Sequence, residues 1–230
     1  MIVKKRTLYR EVAYFLGIFL LSLGAACMER ADFGMSMVIA PAYLIHLKVV
    51  PLLPWFSFGV AESLFQAALL VLMCLIIRKF HVSYLLSFVT AILYGVALDQ
   101  SVWLVHFIPS PMAVRIVLYV VGCLLTSAGV AFFFRTYIAP EVFELFVKKV
   151  SEKCGMPFHR MKTLYDVVNC VLSVVLSFMF FGFGTFVGVG WGTVVCAALN
   201  GFLIGRYCKL YDRLWDYADK FPKLRRLMPE

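Results

Sequence analysis

Six apolar runs constrain this chain more than any other feature of its sequence. Each is close to the roughly 20 residues that a helix needs to cross the hydrocarbon core of a bilayer. The runs comprise residues 12–28, 56–77, 82–105, 112–134, 164–183 and 187–204. Because a bilayer core offers no water to hydrogen-bond the backbone, such segments must be helical. The pattern predicts an all-α integral membrane protein with six transmembrane helices.

The composition excludes several other classes of protein. Of the 230 residues, 63% are hydrophobic and 15% are charged, whereas charged residues make up about 25% of a typical soluble domain. A soluble enzyme and a disordered chain are therefore both excluded. The seven cysteines include no Cys-x-x-Cys pair, so we interpret them as small apolar residues and expect neither disulfides nor a metal site.

The distribution of basic residues predicts the orientation. Nineteen of the 22 Lys and Arg residues lie before the first run, after the last run, or in the second and fourth connections. Cytoplasmic connections carry the excess of basic residues in membrane proteins. Both termini are therefore predicted to be cytoplasmic, which requires an even number of spans and agrees with six.

The second half of the chain repeats the first at an offset of 104 to 106 residues. The shift aligns Gly17, Gly24 and Arg30 with Gly122, Gly129 and Arg135, Glu62 with Asp166, and Gly95 with Gly201. Each copy holds three spans, an odd number, so the copies cross the membrane in opposite directions. We therefore predict two inverted-topology three-helix repeats, residues 10–106 and 111–206, in a single membrane domain, residues 1–230, that ends in a basic cytoplasmic tail, residues 207–230.

Two connections have structure of their own. The stretch after the first span, up to Pro41, is too short to cross the membrane and return, which predicts a re-entrant segment. Residues 141–153 place Val142, Phe146 and Val150 on one face and most charged side chains, including Glu141, on the other. That pattern predicts an amphipathic helix at the cytoplasmic membrane surface.

Two short motifs carry a family resemblance. Ala-Asp-Phe-Gly follows the first span at residues 31–34, and Gly-Val-Gly-Trp-Gly-Thr opens the last at residues 188–193. The chain resembles the bacterial YczE/YyaS/YitT family of multipass membrane proteins over roughly residues 10–206. It departs from the family pattern at residues 35–37, where Met-Ser-Met replaces an expected Pro-Trp pair. The resemblance implies a protein of the bacterial cytoplasmic (inner) membrane of a kind described as permeases.

Polar side chains inside the apolar runs are the candidate substrate path. Ionisable groups at membrane depth are costly and normally face the bundle interior or water. The candidates are Glu62, Gln66, Asp166, Asn169 and Asn200. Glu62 and Gln66 are four residues apart and share one helix face. The alternative is that these groups only hold helices together through hydrogen bonds.

Charged residues at the ends of the first and fourth spans form a second candidate set. Glu29, Arg30 and Asp32 lie at the predicted outer end, and Arg135 holds the position that corresponds to Arg30. They are candidates for a gate or for fastening the broken connections. The alternative is that these charges simply extend to water from the helix ends.

No arrangement of residues favours catalysis. His46, His81, His106 and His159 are scattered, and no nucleophile or metalloprotease motif is present, so we expect neither an enzyme nor a cofactor. The tail contains Lys209, Arg213, Lys220, Lys223, Arg225 and Arg226. We expect this tail to bind anionic lipid headgroups rather than nucleic acid.

Two functions remain open at this point. The first is a membrane transporter, or permease, for a small organic solute, with a polar path at the interface of the two repeats. The second is a non-transporting membrane scaffold or accessory protein that recruits a cytoplasmic partner. The substrate is not specified by the sequence, and a homo-oligomer is compatible with both functions.

Overall fold

The computed structural model describes residues 6–82 and 84–220. Within these residues the chain forms eight α-helices and two short strands. In chain order they are β1 (Arg6–Tyr9), α1 (Arg10–Ala31), α2 (Ala40–Val49), α3 (Phe58–Ile77), α4 (Tyr84–His106), α5 (Met112–Phe133), α6 (Val142–Cys154), α7 (Phe158–Phe181), α8 (Trp191–Leu214) and β2 (Trp215–Ala218). The chain is mostly helical, as its apolar runs predict.

Five of the described helices, α1, α3, α4, α5 and α7, are long and apolar enough to cross a membrane. The protein is therefore a multipass helical membrane protein. The sixth predicted run lies in α8, which has 24 residues but is not among these five. Asn200 and Arg206 lie within α8 and lower its hydropathy.

Helices α1 and α5 make the most extensive contact between any two of the described helices. Gly17 faces Gly129 and Gly24 faces Gly122, so the two helices run antiparallel. At each of these glycines a Cβ atom would lie within 3.2 Å of an atom of the facing helix. Small residues let membrane helices approach closely and gain van der Waals contact. We call these four glycines the α1–α5 seam.

The remaining helices pack in matching pairs around the seam. Helix α1 also contacts α4, and α5 contacts α8. Helix α3 contacts α6, and α2 contacts α7. The close contact between α3 and α4, made through Gly59 and Gly95, has no such counterpart among the described residues at the aligned Gly201 of α8, where a Cβ atom would have no described atom within 4 Å.

The outer surface of the bundle is apolar. Val71 and Leu75 on α3, Val120 on α5, and Val171 and Val175 on α7 are all more than half exposed. Apolar surface of this extent is not stable in water. A bilayer covers it, which agrees with the assignment as a membrane protein.

The two short helices begin inside the bundle. Helix α2 has 10 residues, or roughly 15 Å at 1.5 Å per residue, about half the thickness of a hydrocarbon core. Its first residues, including Ala40 and Leu44, are fully buried. Helix α6 has 13 residues, and its apolar residues Val142 and Val147 are fully buried.

The predicted polar face of α6 needs one correction. The helix and its buried apolar face are confirmed, but Glu141 is only 5% exposed and does not lie on an exposed face. The reason is a long-range contact: Gln66 of α3 accepts a hydrogen bond from the Val142 backbone N–H at 3.1 Å. This contact holds the start of α6 against the buried part of α3.

The two ends of the described chain are joined by a feature that the sequence did not predict. Strands β1 and β2 pair in parallel, with Thr7 opposite Asp216. The Glu11 carboxylate accepts hydrogen bonds from the Lys220 backbone N–H at 3.1 and 3.2 Å. We call β1, β2 and these contacts the terminal clasp. Five tail and leader residues of the sequence interpretation, Lys4, Lys5, Lys223, Arg225 and Arg226, lie outside the described residues.

Candidate functional site

The candidate site is built around Glu62, in the second turn of α3. Its side chain is fully buried. Gln66 lies one turn further along and is also fully buried. The Gln66 side-chain amide donates a hydrogen bond to Glu62 Oε1 at 3.3 Å. The spacing of four residues predicted this shared face, and the helix places both groups on it.

Gln66 also connects α3 to the start of α6. Its side-chain oxygen accepts the hydrogen bond from Val142, one of the first N–H groups of α6, which have no partner within their own helix. The preceding residue, Glu141, brings a second buried carboxyl to the same place. The site therefore joins residues that lie 76 positions apart in the chain.

Each of the two carboxyls keeps one oxygen without a hydrogen bond. Within the described part of the chain, Glu62 Oε2 and Glu141 Oε1 are buried and have no hydrogen-bond partner. Buried polar atoms are almost always paired, and an orphan requires an explanation. We call Glu62, Gln66 and Glu141 the carboxyl cluster.

Aromatic side chains surround the carboxyl cluster. Tyr94 of α4 and Tyr165 of α7 lie within electrostatic range of both carboxyls. The Tyr165 ring lies 5.6 Å from the Phe146 ring and 6.4 Å from the Phe143 ring, both on α6. The cluster is therefore in a largely apolar environment, where a charge interacts strongly with its neighbours.

The charge balance near Glu141 is acidic. Burial raises the pKa of the Glu141 carboxyl well above its usual range, and the nearby Glu144 and Glu62 carboxyls raise it further. The Gln66 amide and the Lys162 ammonium lower this pKa but do not reverse the shift. Burial disfavours the charged form of a carboxyl, so Glu141 is held toward its neutral form.

Two predicted path residues lie on α7 beside the cluster. Asn169 is buried, but its amide donates to the Tyr165 backbone oxygen of its own helix at 2.9 Å. Asp166 pairs with Lys162 at 3.0 Å, one turn away on α7. Asp166, the residue aligned with Glu62, is therefore neutralised locally, whereas Glu62 has no cation at this distance among the described residues.

The structure places Asn200 away from the cluster. Its side-chain oxygen accepts a hydrogen bond from the Ser127 hydroxyl at 2.9 Å, across the contact of α5 and α8. This contact holds two helices together, as the alternative interpretation of the sequence expects. The predicted path residues thus lie on α3 and α7, near the start of α6, and at a separate position on α8.

The predicted gate charges fasten helix ends. Arg30 donates to the Ile108 backbone oxygen at 3.0 and 3.2 Å, just beyond the end of α4. Arg135 forms a two-bonded ion pair with Asp212 of α8, at 2.7 and 2.6 Å. Each arginine thus joins the end of the first helix of its half to the last helix of that half. The paired arginines have matching structural roles.

Glu29 and Asp32 lie near the buried start of α2. Burial raises the pKa of the Tyr43 hydroxyl of α2, and the nearby Glu29 and Asp32 carboxyls raise it further. Asp32 also pairs with Arg115 of α5 at 3.1 Å. Its backbone has a φ of 54° and ends α1 in a left-handed cap.

The two motifs of the sequence resemblance contact each other. The Gly192 backbone N–H donates to the Phe33 oxygen at 3.0 Å, and the Met35 N–H donates to the Gly188 oxygen at 2.9 Å. At Gly34, whose φ is 112°, a Cβ atom would lie 2.5 Å from Thr193 Oγ1. The motifs are therefore two halves of one backbone contact.

Comparison with known proteins gives a family. The sequence model of a family of unknown function, DUF6198, matches residues 8–209. The chain belongs to DUF6198. No curated protein and no solved structure matches it. The resemblance to the YczE/YyaS/YitT proteins stays a prediction.

In this DUF6198 chain the main residue that sequence reasoning missed is Glu141. The amphipathic pattern of residues 141–153 assigned Glu141 to the polar face. The one feature of the sequence that could have indicated its burial is its position just before the start of the helix. A residue at a helix start can turn inward when another helix supplies the cap. Its burial depends on Gln66, which no local pattern reveals.

A groove on the bundle surface contains none of the predicted site residues. A groove of about 570 Å³ lies on α3 and α4. Its walls are apolar, with Arg78 and Lys79 at one end, and none of the predicted path residues lines it. Among the described residues, no group of three or more His, Cys, Asp or Glu side chains is arranged to hold a metal ion.

Proposed function

We propose that the protein is a membrane transporter, a permease for a small organic solute. The observation that carries the proposal is the carboxyl cluster, where a fully buried Glu62 and a buried Glu141 meet at the start of a short helix. Intramembrane ionisable residues mark substrate and ion paths. Transporters commonly place such groups where a helix is interrupted inside the membrane.

We also propose the six-span architecture with two inverted repeats, residues 10–106 and 111–206. The sequence offset supports it, and so do the matching helix pairs α1–α4 with α5–α8, and α3–α6 with α2–α7. The α1–α5 seam also supports it. The repeat aligns Gly17 with Gly122 and Gly24 with Gly129. Gly17 faces Gly129 and Gly122 faces Gly24, so the two facing pairs are equivalent under the repeat. In this arrangement α8 is the sixth span, and α2 and α6 are re-entrant.

The proposed location is the bacterial inner membrane with both termini in the cytoplasm. The excess of Lys and Arg in alternate connections supports this orientation. It places α6, the terminal clasp and the basic tail on the cytoplasmic side. The tail then lies within reach of anionic headgroups.

A ligand screen tests the proposed function. The full-length protein in detergent is heated with members of a metabolite library, because a ligand that binds only the folded state raises stability by RT ln(1 + [L]/Kd). At a concentration of 100 Kd the gain is about 2.7 kcal/mol. The expected result is a stabilising solute whose uptake into vesicles is lost in Glu62→Gln and retained in Glu152→Gln, an exposed glutamate of α6.

The opposite outcome favours a scaffold. In that case no solute stabilises the protein, Glu62→Gln changes stability without changing any flux, and a cytoplasmic partner binds through the tail. A truncation after Lys220, which keeps α8 (Trp191–Leu214) and the terminal clasp, then abolishes partner binding. For a transporter, the same truncation leaves solute binding in place.

A further inference from the structure

The two glutamates of the carboxyl cluster come from different halves of the chain. Glu62 comes from α3, in the first half of the chain, and Glu141 precedes α6, in the second half. Gln66 contacts both sides, through its amide to Glu62 and its oxygen to Val142. The two carboxyls therefore lie where the two halves of the bundle meet.

Electrostatics limits how many charges this place can hold. Two carboxylates close together in an apolar environment cannot both ionise at moderate cost. Tyr94 of α4 and Tyr165 of α7 lie within electrostatic range of both carboxyls. Glu144 of α6, Lys162 of α7 and Tyr14 of α1 lie within electrostatic range of Glu141. The one cation in this set, Lys162, is already paired with Asp166.

We propose that Glu62 and Glu141 form a proton-binding site that holds one exchangeable proton between the two halves of the bundle. A carboxylate of the pair takes H⁺ from water and forms an O–H bond. Because Gln66 bonds both Glu62 and the Val142 N–H next to Glu141, the two carboxyls share one buried, apolar environment, and the bound proton leaves them with a single negative charge. Release reverses the step and returns the proton to water.

The ligand set favours a proton over a metal cation. A hard cation such as Ca²⁺ takes about 6–8 oxygen ligands. Here two carboxyl oxygens are unpartnered within the described residues, and the Phe143 and Phe146 rings pack against Tyr165 beside them. A proton needs only two oxygens and leaves the pair with a single negative charge.

The second copy of the fold does not repeat this site. Asp166, which aligns with Glu62, is paired with Lys162. The residue before α2, which corresponds to Glu141 before α6, is Ile39. The described part of the chain therefore carries one such carboxyl pair, and if the protein is the transporter proposed above, one proton moves with each solute cycle.

Infrared spectroscopy of the full-length protein in lipid vesicles tests the proton site. A protonated carboxyl has a C=O band that shifts between H₂O and D₂O, whereas a carboxylate lacks this band. The expected result is such a band at pH 7 that titrates away at higher pH. It is absent in the double variant Glu62→Gln, Glu141→Gln, and unchanged in Glu152→Gln.

The single variants sharpen the test. Removing one carboxyl removes a neighbouring charge, so the titration midpoint of the remaining carboxyl falls in Glu62→Gln and in Glu141→Gln. No exchange-sensitive band in the native protein, or a band that survives in the double variant, overturns the proposal. The presence or absence of the exchange-sensitive band is measured on the native protein alone, so a variant that fails to fold does not prevent this test.

The spectra and the transport assay test two separate proposals, the proton site and the transporter, and either proposal can be overturned without the other. A band that behaves as expected without any solute flux keeps the proton site and overturns the transporter. Solute uptake that is independent of pH, with no such band, keeps the transporter and overturns the proton site. Uptake that is lost in both single variants, together with the expected band, supports both.

Discussion

Gly24 on α1 and Gly122 on α5 contact each other reciprocally. A Cβ atom on Gly24 would lie 2.8 Å from the Gly122 carbonyl oxygen, and one on Gly122 would lie 2.8 Å from the Gly24 carbonyl oxygen. The obstacle in both cases is backbone, which cannot rotate away as a side chain can. The two helices therefore approach as closely as their backbones allow.

Replacing either of these glycines by alanine is expected to weaken the bundle. Gly24→Ala and Gly122→Ala force the helices apart, and overpacking of this kind costs about 1–3 kcal/mol. The matched control is Gly201→Ala on α8, where a Cβ atom would have no atom of the described chain within 4 Å. Thermal unfolding in detergent measures the difference. Equal unfolding temperatures for Gly24→Ala and Gly201→Ala would contradict this packing.

Stability is expected to fall as pH rises. Burial raises the pKa of Glu141 in the folded protein above its ordinary value of 4.5, so between these two values the folded state binds more protons than the unfolded state. The contribution of Glu141 to stability is then fully present below pH 4.5 and decreases above it, by at most about 1.4 kcal/mol per pH unit for one proton.

Thermal unfolding across a pH series checks this linkage. In Glu141→Gln the slope attributable to this group disappears, because glutamine does not titrate. Glu152→Gln, on the same helix but paired with Lys149 at the surface, keeps the native slope. An identical slope in the native protein and in Glu141→Gln would contradict the raised pKa of Glu141.

The motif contact at Gly34 gives a third prediction. Gly34→Ala suffers both from a φ of 112° and from a Cβ position 2.5 Å from Thr193 Oγ1. Gly155→Ala is the matched control, because its φ is also positive, at 65°, but no other part of the described structure lies within 4 Å of its Cβ position. We expect Gly155→Ala to cost about 1 kcal/mol and Gly34→Ala at least about twice that. Similar losses would mean that residues 33–35 do not pack against α8.

Cysteine labelling tests the orientation. Leu52, between α2 and α3, is 78% exposed, and the native Cys154, at the end of α6, is also exposed. With both termini in the cytoplasm, Leu52→Cys reacts with a membrane-impermeant maleimide in intact cells. Cys154 reacts only after the membrane is opened, and Cys154→Ser confirms the assignment. Labelling of Cys154 in intact cells would reverse the orientation.

Hydrogen exchange tests the terminal clasp. Glu11→Ala removes the acceptor of the Lys220 N–H and of the Tyr137 hydroxyl. We expect faster exchange in residues 215–220, with little change in α1 itself, since local opening follows the loss of local contacts. Glu152→Ala serves as the control for loss of a surface glutamate. Unchanged exchange in β2 would show that the strand pair alone holds the ends together.

Sequence patterns account for much of this fold and for part of the site. Apolar length predicted the long helices, and the spacing of Glu62 and Gln66 predicted their shared face. Both are local properties, set by helix geometry within a few residues. The aligned glycines of the repeat also marked the residues that form the α1–α5 seam.

The rest depends on contacts between distant parts of the chain. Glu141 is buried because Gln66, 76 residues away, receives the next N–H, and strand β1 exists because Trp215–Ala218 lies beside it. In the sequence Asn200 and Asn169 are both polar residues inside apolar runs. In the structure Asn200 accepts a hydrogen bond from Ser127 and lies at a different helix contact, between α5 and α8. No periodicity encodes these pairings, so three-dimensional structure is needed to find them.

The terminal clasp also has a consequence for biosynthesis. A chain is made and inserted from its N-terminal end, so β1 leaves the ribosome long before β2, which follows α8. Glu62 likewise enters the membrane before Glu141 and Val142 have been made. Until α6 has been synthesised, the Gln66 side-chain oxygen lacks the Val142 N–H as a donor, and Glu62 lacks Glu141 as a neighbour. The carboxyl cluster can therefore form only after the second half of the chain has reached α6. The strand pair can therefore form only after every helix between the two strands has been synthesised.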